Sequence, residues 1–486
     1  MRTLEILIVL IELAVLLVVV LKPIPDLRNA RWLLLLPLSL SLLHGLVEGT
    51  RWQMVPAYGI ALTLALTFLA SPTLHLPRHL KVILSSLGSL LVALSLLLGY
   101  LLPVFQLPKP SGSFAVGTTY WHLQDSTRSE PITDDPNDVR ELMVRVWYPA
   151  QAEHQSTYSY MHPELTKVLA RNRGLPAFML SHFALIETHA LENAPVALEI
   201  ESFPVIIFSP GYTSHSSMYT SLTETLASHG YIVFGIDYTY ETPLSIFPDD
   251  DLRFLNPEYT DIWKNTSWDD VQASIVAFRE TSDTTAQRQY VSQYLTQVPY
   301  TARVNSWTED VHFVIGELQN KANQYDQLFF RKIDQDNIGV MGHSVGGATS
   351  AVACALDSRI KAGINLDGSQ WGNLLDHAII QPFLWITAEK DLSASSADID
   401  SFIYSQVSEG DFYHLSIGNA THTNFSDLSL WSNYTPLTQT GSIDSHRAIE
   451  IINQCSVNFF DKYLKERPNT IDEITEKFDE LSSKNW

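Results

Sequence analysis

Gly342-His343-Ser344-Val345-Gly346-Gly347 follows the apolar run Asn337–Gly342 and leads without a break into the small-residue stretch Ala348-Thr349-Ser350-Ala351. Read in order, this is G-x-S-x-G held between a strand and a helix. Glycine on each side of the serine tolerates the tight, strained turn that lifts a hydroxyl clear of a sheet edge. The motif alone is weak evidence. In this strand–turn–helix setting it predicts a nucleophile elbow, with Ser344 as the nucleophile.

A serine hydroxyl is a poor nucleophile until a base removes its proton during attack. The base should follow the serine and the acid in chain order, on a loop after the last strand. His422, within Thr421-His422-Thr423-Asn424-Phe425-Ser426-Asp427, lies five residues beyond the strand-like run Phe412–Ile417. His414 falls inside that run and His446 opens the final helix, so both read as structural. Two carboxylates compete for the acid. Asp367 ends the run Ala362–Leu366, and Asp391 follows Phe383–Thr387. Either would hold the His422 imidazole in its productive tautomer, and spacing leaves both open. Charge developing on a carbonyl oxygen needs preorganised N–H donors. The backbone N–H of Val345 is one, and the N–H of Tyr212, in Ser209-Pro210-Gly211-Tyr212, is the other.

Around this centre, short β-branched or aromatic runs alternate with helical stretches. Leu142–Tyr148, Val205–Ser209, Tyr231–Asp237, Asn337–Gly342, Ala362–Leu366, Phe383–Thr387 and Phe412–Ile417 read as strands. Met218–His229, Ser306–Ala322, Val345–Leu356 and His446–Leu464 read as helices. That rhythm argues for an α/β fold with a mostly parallel central sheet flanked by helices. Residues 241–303, rich in Asp, Thr, Tyr and Gln, interrupt it and read as a lid-like insertion.

The first 109 residues are different. Leu4–Leu21, Trp32–Val47, Met54–Ala70 and Val82–Phe105 are apolar runs near the ~20 residues that a spanning helix needs. A cleaved signal peptide predicts one such run, not four. The expected organisation is a four-helix transmembrane region, residues 1–109, and a hydrolytic domain, residues 110–486, joined through Lys109-Pro110-Ser111-Gly112-Ser113. Lys22, Arg28, Arg31, Arg78 and Lys81 lie on one set of loops, and Arg2, Arg51 and Lys109 on the other. That bias favours the first set in the cytoplasm and the large domain outside the cell. Glu12, near the middle of the first run, is expected to be protonated or to pair with His44 or Arg51.

Charge and cysteine use narrow the partners. The chain of 486 residues carries a net charge of −22; residues 1–109 hold eight basic and four acidic side chains, leaving residues 110–486 at −26. Such a surface repels phosphate backbones and excludes nucleic acid as a partner. Two cysteines, Cys354 and Cys455, make neither a disulfide framework nor a cysteine zinc site and read as buried hydrophobes. Asp134-Asp135 and Asp249-Asp250-Asp251 lack the spacing of a calcium loop. No metal, nucleotide or flavin is implied, so no cofactor is expected.

Several stretches together resemble the platelet-activating factor acetylhydrolases of the plasma, isoform II type, within the α/β-hydrolase superfamily. They are Phe203–Gly211, Leu226–Val233, Val144–Pro149, Arg303–Leu318, the GHSVGG elbow, Ile364-Asn365-Leu366-Asp367, and the H-x-x-F of His422 to Phe425. The resemblance covers most of residues 115–465. It implies an α/β-hydrolase fold, a Ser-His-Asp triad with Asp367 as the acid, and esters of short-acyl glycerophospholipids as substrates. The oxyanion loop departs from the pattern, reading Ser-Pro-Gly-Tyr where many members have His-Gly. The N-terminal region resembles membrane-anchored bacterial hydrolases of this group, around Glu48–Tyr58. The expected function is a membrane-anchored serine ester hydrolase acting on lipophilic esters at the bilayer. The alternative is a general carboxylesterase or polyester hydrolase without phospholipid preference. A dehalogenase is disfavoured because its nucleophile is an aspartate. A receptor-like role for the helices, with a degenerate hydrolase fold, is disfavoured because all three triad members are present.

Overall fold

Runs of β-branched and aromatic residues buried on both faces are what a central parallel sheet requires. Val205, Ile206, Ile207 and Phe208 are all buried to within 1% of full exclusion, and each such side chain contributes roughly 1.5–3 kcal/mol. The computed structural model describes residues 1–21, 31–70, 77–152, 156–257, 264, 266–320, 327–390, 396–468 and 471–484. Its strands are β1 (Ala115–Ser129), β2 (Val139–Ala150), β3 (Thr157–Ser159), β4 (Glu187–Glu192), β5 (Phe203–Ser209), β6 (Ile232–Asp237), β7 (Leu244–Ile246), β8 (Leu252–Phe254), β9 (Ile333–His343), β10 (Ile360–Leu366), β11 (Phe383–Lys390), β12 (Phe412–Thr421) and β13 (Leu481–Ser483). Eleven of them form one sheet in the order β13-β12-β11-β10-β9-β5-β6-β2-β1-β4-β3, while β7 and β8 pair separately. From β12 to β6 every pairing is parallel; β2 joins β6, and β1 joins β2, antiparallel.

Register positions the chemistry. Ser209 pairs with Gly342, and Leu366 pairs with both His343 and Ile386. The residues that follow β5, β9 and β10 therefore leave the sheet at one carboxyl edge, where open α/β sheets place their ligands.

The chain divides into two compact units: Met1–Gln106 with Ser159–Glu187 and Leu430–Leu437, and Leu107–Tyr158 with Thr188–Ser429 and Thr438–Trp486. This differs from a single boundary at residue 109, because two later segments join the first unit. That unit holds α1 (Thr3–Leu21), α2 (Leu36–Val47), α3 (Val55–Ala70), α4 (Arg78–Leu101) and α5 (Pro163–Asn172). Among the described residues three stretches, Thr3–Leu21, Trp52–Ala70 and Arg78–Leu101, are long and apolar enough to cross a membrane. Trp32–Val47 is apolar but shorter; at ~1.5 Å per residue it reaches ~24 Å, against a hydrocarbon core of ~30 Å. Leu10, Leu17, Leu66 and Leu90 are exposed, whereas Ala57, Ala61, Gly88 and Ser95 face inward. Small residues inside and leucines outside is the arrangement of helices packed in lipid.

A polar knot closes one end of the bundle. Arg51 grips the Glu5 carboxylate at 2.7 and 2.6 Å, and Arg2 binds it at 3.0 and 2.8 Å. His44 contacts Arg2 at 3.0 Å and Tyr58 at 3.0 Å. The carboxylate that meets Arg51 is thus Glu5 and not Glu12, which lies about two helical turns further along α1. The two later segments cap the same end. Trp52 donates to the Met179 carbonyl at 3.1 Å, and Ser432 and Asn433 donate to the Leu101 and Tyr100 carbonyls at 2.7 and 2.8 Å. Those carbonyls belong to the last turn of α4 and have no partner within the helix.

In the second unit α6 (Thr220–Ser228), α9 (Tyr300–Gln319), α10 (Val345–Leu356) and α12 (Ser445–Leu464) pack with the sheet, and α11 (Ala397–Val407) follows β11. The described residues of the stretch 241–303 contain the β7–β8 hairpin, the helices α7 (Trp268–Glu280) and α8 (Thr284–Gln297), and the start of α9. Cys354 and Cys455 are both buried, and burial pushes the Cys455 thiol up to about 12, so neither is a reactive thiolate.

Candidate active site

β9 ends at His343 and α10 begins at Val345, so the whole turn is made by Ser344, at φ 58° and ψ −122°. A non-glycine residue there stores about 1–3 kcal/mol of strain and persists only where its surroundings impose it. They do so here. The Ser344 N–H donates to the Leu366 carbonyl at 2.9 Å, and the Ser344 carbonyl accepts from Gly347 at 2.9 Å. A Cβ on Gly346 would lie 2.1 Å from the Ser209 carbonyl oxygen, and one on Gly342 would lie 2.2 Å from that of Gly346. The elbow can sit this close to β5 only because both positions lack a side chain.

Asp367 is the first residue after β10 and turns sharply, with φ 51°. Its N–H donates to the Ile386 carbonyl at 2.7 Å. One carboxylate oxygen accepts from the Ala388 N–H at 2.7 Å, and the other lies 2.7 Å from His422 Nδ1. The Asp367 side chain is fully buried while that of His422 is a quarter exposed. A carboxylate on Nδ1 keeps the proton there and leaves Nε2 as an acceptor, which is the tautomer of a general base. The His422 loop is itself closed by a reciprocal cap, the Thr421 N–H donating to Asn424 Oδ1 at 2.9 Å. Asp391, the other candidate acid, lies outside the described residues.

The third component is the loop after β5. A Cβ on Gly211 would lie 3.4 Å from Ser344 Cβ, so the Tyr212 N–H is in the chain beside the elbow. Val345 opens α10, and the N–H groups of a first helical turn have no carbonyl partner within the helix. The Tyr212 ring meets Tyr300 edge-on at 5.7 Å; Tyr300 lies 4.5 Å from Trp371, whose indole donates to Tyr294 at 3.3 Å. An aromatic wall therefore rises from the Gly211–Tyr212 loop.

Residues 102–481 match the family described as platelet-activating factor acetylhydrolase, isoform II. The chain belongs to this family. Among its relatives, the platelet-activating factor acetylhydrolase of Canis lupus familiaris is 27% identical over 378 residues, spanning 74% of this chain and 77% of that protein. A probable 1-alkyl-2-acetylglycerophosphocholine esterase of Arthroderma benhamiae is 23% identical over 290 residues, spanning 56% of this chain and 61% of that protein. Among solved structures, a ferulic acid esterase from Streptomyces cinnamoneus superposes with a TM-score of 0.62 at 24% identity, over 79% of this chain and all of that one. The last likeness bears on the fold alone. Membership places the chain among the carboxylic ester hydrolases.

The acetylhydrolase match begins at Leu102, immediately after α4, so α1–α4 stand outside it. Within it, the structure brings together Ser344, Asp367, His422 and the Gly211–Tyr212 loop. His414 is elsewhere: it stacks on Trp385 at 4.0 Å, and burial lowers its pKa to about 4. Sequence reasoning did not single out Tyr294, Tyr300 and Trp371, since single aromatics on three separate elements carry no pattern. It also passed over His343, although that residue stands inside the elbow motif.

Proposed function

We propose that this acetylhydrolase-family protein is a membrane-anchored serine ester hydrolase. Ser344 Oγ attacks the ester carbonyl carbon while His422 Nε2 takes its proton. The Val345 and Tyr212 N–H groups stabilise the oxyanion. On collapse the C–O bond breaks and the alcohol leaves with the proton from His422. Water, deprotonated by the same imidazole, then attacks the acyl-enzyme and releases the carboxylate and Ser344. Asp367 stabilises the imidazolium formed in each half. The observation that carries this reading is the 2.7 Å Asp367–His422 pair at the sheet edge where the Ser344 elbow stands.

The relatives named for platelet-activating factor and 1-alkyl-2-acetylglycerophosphocholine support short-acyl glycerophospholipids as the substrate class. The aromatic wall at Tyr212, Tyr300 and Trp371 favours an apolar group beside the scissile bond, and α8 together with the start of α9, which carry Tyr294 and Tyr300, forms part of the access wall. Hydrolysis by the full chain in detergent micelles is measured on glycerophospholipids of increasing sn-2 acyl length and on simple short esters, with Ser344→Ala as control. Preference for the sn-2 acetyl phospholipid, absent in the variant, is the expected result. Activity on simple short esters alone would make it a general esterase, and activity unchanged in Ser344→Ala would sink the mechanism.

The four helices α1–α4 form the anchor, with α2 and its preceding 3-10 turn as the short fourth span. The excess of basic residues in the sequence at Lys22, Arg28 and Arg31 and at Arg78 and Lys81, which open α4, supports the hydrolase domain lying outside the cell. Asp269 is exposed on α7, and both native cysteines are buried. An Asp269→Cys variant is expected to react with a membrane-impermeant maleimide on intact cells. Labelling only after lysis would reverse the orientation.

A further inference from the structure

Beneath the catalytic groups lies a chain of hydrogen bonds that the triad does not use. The Gly211 N–H donates to the Tyr219 hydroxyl at 3.0 Å, that hydroxyl lies 2.9 Å from His343 Nδ1, and His343 Nε2 lies 3.1 Å from the His422 carbonyl oxygen. Tyr219 and His343 are 1% and 5% exposed. The His343 ring lies 4.4 Å from the His422 ring and parallels Phe425 at 6.1 Å. A Cβ on Gly211 would lie 3.2 Å from both Tyr219 Oη and His343 Nδ1. Nothing larger than glycine rests on this pair without displacing it.

The protons on the chain have one arrangement. A carbonyl oxygen only accepts, so His343 Nε2 carries the proton. In a neutral imidazole Nδ1 then accepts, so the Tyr219 hydroxyl donates to it. The same hydroxyl accepts from Gly211 and has the Ser214 side chain as a further hydrogen-bond partner. Protonating His343 would put an N–H at Nδ1, so the Tyr219 hydroxyl would have to accept there and turn its own hydrogen to another partner. Burial holds the ring well below its ordinary pKa, and the adjacent His422 acts in the same direction.

We infer that Tyr219 and His343 are positioning residues for the ester hydrolysis, a neutral relay that locks the oxyanion loop at Gly211 to the backbone of the base at His422 through the residue next to the nucleophile. The inference rests on the reading of Ser344 and His422 as nucleophile and base. The relay ties together the carboxyl ends of three different strands, β5, β9 and β12. The Tyr212 N–H is one peptide from Gly211, and the His422 ring is attached to the residue whose carbonyl ends the chain. Loss of the relay lets the oxyanion donor and the base drift apart. A misplacement of up to about 1 Å costs about 10- to 100-fold in rate.

The test uses the full-length protein in detergent micelles with 4-nitrophenyl acetate. Tyr219→Phe and His343→Leu are each expected to lower kcat by about 10- to 100-fold, with KM changed by less than about twofold. The double variant should cost no more than the worse single one, because either change opens the same chain. His343→Gln, which retains a side-chain N–H donor toward His422, should recover most of the kcat lost in His343→Leu. Thermal melting of each variant gives the folded fraction, and kcat is expressed per folded protein. Full kcat in both single variants, losses that multiply in the double variant, or no recovery with His343→Gln would each overturn the relay. If Ser344→Ala keeps hydrolysing the ester, the serine mechanism itself falls. If Ser344→Ala is inactive while Tyr219→Phe and His343→Leu keep full kcat, only the relay falls.

Discussion

Ser344→Ala is expected to lower kcat on a soluble ester by roughly 10,000- to 1,000,000-fold, and Asp367→Asn by roughly 10,000-fold, with the fold retained. The serine result follows from losing the covalent step. The aspartate result follows from a proton. Asp367 Oδ1 accepts the Ala388 N–H at 2.7 Å while Oδ2 faces His422 Nδ1 at 2.7 Å. An asparagine keeps the Ala388 bond by turning its carbonyl oxygen there, which points its NH2 at Nδ1. The imidazole must then accept at Nδ1 and carry its proton on Nε2, where it has no lone pair for the Ser344 hydroxyl. Steady-state kcat measured beside a thermal melt separates this from misfolding. An Asp367→Asn enzyme within tenfold of wild type would move the acid elsewhere, and Asp391→Asn would then be the variant to lose activity.

The elbow was legible because its signal is local. Ser344 and α10 follow from six consecutive residues, and the helix runs over Val345–Leu356, the limits that the small-residue run gives. All seven apolar runs became strands, since strands buried on both faces carry continuous hydrophobic sequence. β1 was missed. Its residues Thr118, Thr119, His122, Gln124, Asp125 and Ser126 are polar because the strand lies toward the sheet's edge and its later residues meet solvent. The two helices within residues 241–303 were also passed over, although Asp283 caps α8 by accepting the Ala286 N–H at 3.1 Å, a signal that composition hides. The preference for Asp367 over Asp391 rests on the family resemblance, not spacing; among the described residues, the carboxylate 2.7 Å from His422 Nδ1 is that of Asp367. Residues 124 positions apart meet in the Tyr219–His343 pair, and no periodicity in one chain encodes such a meeting.

Arg140→Leu is expected to destabilise the protein by about 3–5 kcal/mol, lowering its melting temperature by about 5–10 °C. Arg140 is 2% exposed and lies against three carboxylates: Asp310 at 2.7 Å, Glu130 at 3.0 Å and Glu241 at 3.8 Å. Arg128 and Arg303 complete the cluster, at 2.7 Å from Asp310 and 3.1 Å from Glu241. Removing the central guanidinium leaves buried negative charge facing negative charge, which costs far more than a surface pair. The cluster also underlies the site. Glu241 accepts from the Trp307 indole at 2.9 Å, Trp307 stacks on Tyr238 at 3.8 Å, and the Tyr238 hydroxyl bonds Ser209 at 2.7 Å, one residue before Pro210. The pH dependence has a definite sign. Burial raises the folded-state pKa of Glu130 and Glu241 even with Arg140 present. The stability tied to each raised carboxyl is complete below its unfolded pKa and is lost as pH climbs through the folded one. Without Arg140 both rise further, so the variant loses more on going to high pH. The difference between wild type and Arg140→Leu should therefore narrow from pH 8 to pH 5, as thermal melts across that range would reveal. A difference that is constant with pH, or that widens toward acid, would mean that the loss comes from packing around the guanidinium and not from its charge.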